Sequence, residues 1–106
     1  MVTYEVTAVV EPALVEAYAS YMREKHIGDV LATGCFVGAV FERADQQTFR
    51  ARYQARSQAM VDQYLREHTQ RLRDDFAAHF PQGLSFSRAV WHEERRWPES
   101  PAGSAP

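Results

Sequence analysis

The sequence predicts an α+β domain with the element order β-α-β-β-α-β. Residues 2–10 and 48–54 alternate apolar and polar side chains, as strands with one buried face do. Two longer segments carry apolar residues at helical spacing, and glycine-containing turns follow both of them. With 106 residues the chain fits one domain, which we assign to residues 1–96. We expect residues 97–106, rich in Pro, Ser, Gly and Ala, to form a disordered tail.

The first strand and the first helix follow from residues 2–26. Alternation over residues 2–10 places Tyr4, Val6, Ala8 and Val10 on one face. Pro12 suits the first turn of a helix because its backbone angle is already fixed there. Apolar side chains at 14, 17, 18, 21 and 22 continue at helical spacing, and we expect the helix to end near residue 25 or 26.

An apolar connector over residues 26–36 joins this helix to the second strand. Its sequence is His-Ile-Gly-Asp-Val-Leu-Ala-Thr-Gly-Cys-Phe. We expect a short helical turn over residues 29–32 and a chain reversal at Gly34, which accepts a positive φ. Because so apolar a segment must pack against the domain, it is predicted to form one wall of a pocket.

The second half of the chain repeats the pattern. Residues 36–41 form a strand that is apolar on both faces, 42–47 a polar hairpin loop, and 48–54 the third strand. Ser57 is the predicted N-cap of one long second helix. Residues 81–83, Pro-Gln-Gly, end that helix, and 84–93 form the last strand. The expected apolar stripe of the helix comprises Val61, Leu65, Leu72 and Phe76, with His68 in register.

Right-handed crossovers place both helices on one face of a four-stranded antiparallel sheet, the ferredoxin-like arrangement. Strands one and three are then neighbours, so Glu5 is expected beside Arg50 or Arg52 on the open face, as an ion pair or as a chamber for an anionic ligand. A strand with two apolar faces cannot bury both within one subunit. The sequence therefore predicts a homodimer, formed face to face or through strand edges.

Composition and charge argue against several classes of binding partner. The net charge of -2 shows no basic excess, so no nucleic-acid partner is expected. No apolar run reaches the roughly 20 residues of a membrane span, and no secretory signal pattern opens the chain. The single cysteine, Cys35, excludes an internal disulfide and reads as a small apolar filler. We expect a cytoplasmic protein.

Three residues are candidates for proton transfer. His68 is either a proton donor or acceptor in a pocket, a role typical of histidine, or a hydrogen-bonded core or boundary histidine. Asp29 follows His26 by three residues and either orients its imidazole or caps the local turn. No tight metal-ligand spacing appears, so neither metal nor cofactor is expected. The predicted ligand-binding set is Tyr4, His26, Asp29, Arg50, Arg52, His68 and Arg88.

Residues 26–36 resemble the signature of a bacterial family of uncharacterised proteins, domain of unknown function 4286. Segments 4–7, 48–53, 67–73 and 86–88 are similar to other parts of that family, so the resemblance covers about residues 2–93. One departure is Gly28, where members typically have proline. The resemblance implies a relation to the dimeric α/β-barrel group, which includes antibiotic-biosynthesis monooxygenases, and it brings no activity.

Three functions are compatible with these observations. The first is a homodimer that binds a small molecule between sheet and helices or inside the dimer. The second is a cofactor-independent monooxygenase or isomerase with a histidine proton shuttle. The third is a structural or protein-interaction module. An apolar cavity of at least ~300 Å³ that exposes a histidine would favour the first two.

Overall fold

A four-stranded antiparallel sheet forms one layer of the protein, in a computed structural model that describes residues 1–99. Its strands are β1 (Val2–Val10), β2 (Gly38–Arg43), β3 (Thr48–Ala55) and β4 (Leu84–His92). Their order across the sheet is β2-β3-β1-β4. Helices connect β1 to β2 and β3 to β4, so the predicted ferredoxin-like α+β fold is confirmed.

The first helical segment is longer than predicted. A 3-10 turn (Pro12–Leu14) leads into α1 (Val15–Tyr21), a π-helical turn (Met22–His26) and α2 (Ile27–Leu31). The expected end near residue 25 is wrong, because the backbone stays helical through His26 at φ -62° and ψ -47°. Because the helix continues, Val30 is buried in the core. Gly34 then reverses the chain at φ 78°, as predicted.

The predicted single second helix is two helices. Ser57 caps α3 (Gln58–Glu67), its side chain accepting a hydrogen bond from the backbone N–H of Met60. The chain steps at His68, where φ is -126°, before α4 (Thr69–His79) begins. The step rotates the helical register, so the expected apolar stripe is wrong at Leu65, which is exposed. His68 is half-buried, in agreement with its predicted place in register with the stripe. Val61 and Leu72 face the core as predicted, together with Tyr64 and Thr69.

The open face of the sheet carries a balanced cluster of charges. Glu5 Oε1 lies 3.4 Å from Arg52 Nε and 3.7 Å from Arg50 Nη1, which confirms the predicted cross-strand pairing. Arg50 Nε also donates to Glu42 Oε1 at 2.7 Å. Around these charges, three large apolar side chains stand exposed at the margins of the same face: Val9, Val40 and Trp91.

Within residues 1–99, no helix is long and apolar enough to cross a membrane. Cys35 is buried among core side chains, as expected of a small apolar filler. Residues 100–106, most of the predicted tail, lie outside the described residues. The domain boundary at residue 96 stays a prediction.

Candidate functional site

A cavity of about 200 Å³ lies between the sheet and the helices. Tyr4 and Val6 of β1 and Tyr53 of β3 line it from the sheet, and Tyr18 of α1 and Leu72 of α4 line it from the helices. The cavity opens between α4 and β4, where the lining side chains Arg73, Ala77, Phe86 and Arg88 are exposed. It is smaller than the ~300 Å³ that would favour ligand binding or catalysis. The core is nevertheless not filled at this point.

Phenol side chains form much of the wall. Tyr4 and Tyr53 are cross-strand partners whose ring centroids lie 6.2 Å apart, and Tyr18 packs 5.3 Å from Phe49. All three tyrosines are nearly buried. Within residues 1–99 their hydroxyl groups make no hydrogen bond, yet none of the three oxygens is among the fully buried polar atoms, so each keeps some accessible surface. Three such hydroxyls on residues of one cavity wall can donate hydrogen bonds to a polar occupant.

Burial raises the pKa of three phenols of the cavity wall, those of Tyr18, Tyr53 and Tyr64. It raises the pKa of Tyr18 and of Tyr53 far above the ordinary value of a phenol. Burial is also the main reason that the pKa of Tyr64 rises to about 12, against the opposing positive charges of Arg73 and Arg88. The hydroxyls are therefore hydrogen-bond donors at neutral pH, able to contact an acceptor atom of a ligand.

His26 enters the cavity wall from the π-helical turn. Its ring stacks on Tyr21 at 5.7 Å and meets the edge of Phe76 at 5.4 Å. Its Nδ1 atom is buried and has no hydrogen-bond partner in the described part of the chain. Burial lowers the pKa of His26, although the negative charges of Asp29 and Asp75 act in the opposite direction. The imidazole is neutral at pH 7 and can accept a proton or a hydrogen bond.

Asp29 does neither of the things proposed for it from the sequence. Its carboxylate accepts a hydrogen bond from Lys25 Nζ at 2.7 Å, and it caps no helix. Lys25 also reaches Asp75 Oδ2 at 3.0 Å, and the Tyr21 hydroxyl donates to that oxygen at 2.7 Å. This exposed network joins the π-helical turn to α4. Both carboxylates are engaged in this network, and within residues 1–99 neither hydrogen-bonds to the His26 imidazole.

Two arginines stand at the mouth of the cavity. Arg73 extends from α4 and Arg88 from β4, and the Arg88 guanidinium carbon lies 5.4 Å from the centroid of the Phe86 ring. Both line the same cavity, and both positive charges act to lower the pKa of the Tyr64 hydroxyl. Within residues 1–99, neither arginine has a carboxylate partner.

The structure brings three of the seven predicted ligand-binding residues together: Tyr4, His26 and Arg88 line one cavity. Arg50 and Arg52 lie on the opposite face of the sheet. His68 lies outside the lining, with Nδ1 3.1 Å from Arg71. In the described chain no three His, Cys, Asp or Glu side chains are placed to hold a metal ion.

Sequence reasoning missed two elements of the cavity, the Tyr64–Thr69 wall and Arg73. The available signal was the spacing Thr69, Leu72, Arg73, Phe76 and Ala77, which puts one face of α4 on the cavity. This spacing indicates a cavity face only if a new helix begins after His68. The sequence predicted one uninterrupted helix, so this face of α4 was missed.

A second depression, of about 400 Å³, lies beside the β2–β3 hairpin. It is larger than the first, but its charged side chains bond within the protein. Arg50 pairs with Glu42, and Arg43 donates to the backbone oxygens of Asp45 and Gln46. These contacts hold the hairpin together and leave the depression without a free recognition group, so the smaller cavity is the candidate site.

Comparison with known protein families gives a match over most of the chain. A family model described as a domain of unknown function, DUF4286, matches residues 1–93. The protein belongs to the DUF4286 family. No curated protein matches this DUF4286 member. The family and the resemblance noted at residues 26–36 agree, and neither carries an assigned activity.

Solved structures resemble this DUF4286 protein in fold. SnoaB from Streptomyces nogalater, a cofactor-independent oxygenase solved as a single-residue variant, matches with TM-score 0.67 and 14% identity, over 92% of this chain and 97% of that one. An antibiotic biosynthesis monooxygenase matches with TM-score 0.59 and 16% identity, over 88% and 100% of the two chains. A dimeric ferredoxin-like protein from an uncultured marine organism matches with TM-score 0.66 and 8% identity, over 92% and 98%. At identities this low, the structural similarity establishes a shared fold and nothing more.

Proposed function

We propose that this DUF4286 protein binds a small molecule with a single aromatic ring in the cavity between sheet and helices. The observation that carries the proposal is a set of three nearly buried tyrosines, Tyr4, Tyr18 and Tyr53, whose hydroxyls make no hydrogen bond within residues 1–99 and which line a largely apolar and aromatic wall. An engineered apolar cavity of about 150 Å³ in another protein takes up benzene, so about 200 Å³ suffices for one substituted ring. Larger polycyclic molecules exceed it.

Blocking the mouth tests this proposal. Ala77 is exposed and lines the cavity, so Ala77→Trp fills the opening without disturbing the core. We expect wild-type protein titrated with p-cresol to show NMR amide shifts at the cavity, and Ala77→Trp to show none. The matched control is Ala78→Trp, since Ala78 is exposed on the same helix but lies outside the lining. Equal shifts in both variants would place the binding elsewhere.

The proposal includes a homodimer formed through the open face of the sheet. Val9, Val40 and Trp91 are each more than two fifths exposed there. The charges between them, Glu5 and Glu42 against Arg50 and Arg52, balance, so a second copy can cover them without stranding an unpaired charge. One structural neighbour is a dimeric ferredoxin-like protein.

A second candidate function is cofactor-independent oxygenation, favoured by His26. His26 lines the cavity, and burial lowers the pKa of its imidazole, so the neutral ring can act as a base for the proton of a phenolic ligand, the step that prepares an electron-rich ring for attack on dioxygen. The similarity to SnoaB, a cofactor-independent oxygenase, is consistent with this chemistry. The small cavity limits such a substrate to one ring.

Oxygen uptake tests the second candidate. With hydroquinone as probe and no added metal or flavin, we expect wild-type protein to consume dioxygen and His26→Asn to lose that uptake while the ring still binds. Because burial lowers the pKa of His26, uptake should persist below the ordinary histidine value of about 6.5 and fall only at more acidic pH. His68→Ala is the control, since His68 lies outside the cavity. No uptake by wild type would leave binding as the function.

A further inference from the structure

The charges that face the cavity are all of one sign. Arg73 and Arg88 line its mouth, and no aspartate or glutamate is among the lining residues. The nearest acids from the packed elements, Asp29 and Asp75, accept hydrogen bonds from Lys25 and Tyr21 on the outer side of the π-helical turn. His26, the remaining titratable base in the wall, is held neutral by burial. The cavity is therefore positively charged at its mouth and uncharged inside.

One of the two arginines packs on an aromatic ring, and neither has a carboxylate partner within residues 1–99. Arg88 lies over the ring of Phe86, and Phe86 meets Phe76 edge to face at 5.3 Å, so the guanidinium rests on a packed aromatic surface. Arg73 approaches from the first turns of α4, one residue beyond the buried Leu72. Guanidinium groups form paired, charge-assisted hydrogen bonds with planar carboxylates. Elsewhere Arg50 and Arg96 already donate hydrogen bonds to carboxylates, and Arg52 forms an ion pair with Glu5 at 3.4 Å.

We propose that the ligand is a small aromatic carboxylate whose ring lies among the tyrosines and whose carboxylate contacts Arg73 and Arg88. This inference rests on the proposed binding function and names its substrate class. The interior accommodates a ring and not a chain of charged groups, because its surface is aromatic and aliphatic. The unpartnered hydroxyls of Tyr18 and Tyr53 lie on the inner side, where a polar ring substituent gains hydrogen bonds.

The test compares two probes of nearly equal shape, phenylacetate and its neutral amide, phenylacetamide. Calorimetry or NMR titration of the full chain should give wild type at least a tenfold preference for phenylacetate, weakening with added salt. Arg73→Gln and Arg88→Gln should each reduce phenylacetate affinity by about tenfold or more and leave phenylacetamide unchanged. Arg71→Gln is the matched control, because Arg71 is exposed on the same helix and lies outside the cavity.

Two outcomes separate this inference from the proposed function. Equal affinity for the two probes, abolished by Ala77→Trp, would overturn the carboxylate assignment and leave aromatic binding in the cavity standing. Binding of neither probe by folded wild-type protein would overturn both. Because Arg73 and Arg88 are exposed side chains, their glutamine variants should keep the wild-type circular dichroism spectrum and unfolding midpoint. A loss of phenylacetate binding in these variants is then due to the lost guanidinium group and not to unfolding.

Discussion

Tyr18→Ala is expected to lower the free energy of unfolding by about 3–5 kcal/mol, the range for truncating a buried aromatic side chain. Tyr18 is 2% exposed and is in contact with aromatic rings on every side. Its ring lies 5.3 Å from Phe49 on the sheet and 6.1 Å from Phe76 on α4. Small domains are stable by only about 5–15 kcal/mol, so much of this protein's stability is at stake. Urea unfolding followed by circular dichroism measures the change.

Tyr18→Phe separates the ring from the hydroxyl. The ring supplies the packing, while the hydroxyl has no partner among residues 1–99, so its removal should change stability by less than about 0.5 kcal/mol or raise it. The same variant should weaken binding of a hydroxylated aromatic ligand. A destabilisation above about 1 kcal/mol would mean that the hydroxyl already has a partner, such as an ordered water molecule, and would weaken the argument for a vacant polar site.

The sheet could be predicted from the sequence because its signals are local. Alternation marked β1 and β3, and the crossover rule made them neighbours, which brought Glu5 beside Arg50 and Arg52. Gly34 was identified because a positive φ has a strong residue preference. Each of these inferences needed one segment and one general rule of geometry.

The helices and the cavity depend on contacts between segments. The π-helical turn at Met22–His26 and the step at His68 leave no mark in the apolar spacing, yet they decide which side chains face inward. His26 and Arg88 were predicted as ligand residues, but Arg73 was not, because its position depends on the register of α4 after the step. A helical pattern read without breaks misses the arginine pair.

Trp91→Asp is expected to convert a homodimer into a monomer. Trp91 is 56% exposed on the open face of β4, which a face-to-face dimer would bury. Tryptophan is enriched among the interface residues whose truncation costs about 2 kcal/mol or more, so the substitution should weaken association by roughly 30-fold or more. Size-exclusion chromatography with light scattering should give twice the chain mass of 12.2 kDa for wild type at micromolar concentration, and 12.2 kDa for the variant.

The control for Trp91→Asp introduces the same negative charge at an exposed apolar residue outside the open face. Leu65 is 37% exposed on α3, in the helical layer on the other side of the sheet, so Leu65→Asp should remain dimeric. Val40→Asp, on the open face of β2, should behave like Trp91→Asp. Fluorescence gives an independent readout, because Trp97→Phe leaves Trp91 as the only tryptophan and its emission should shift to shorter wavelength as the dimer forms. A monomeric wild type, or dissociation by Leu65→Asp instead of Trp91→Asp, would contradict the proposed interface. Either result would leave the cavity as a site within one subunit.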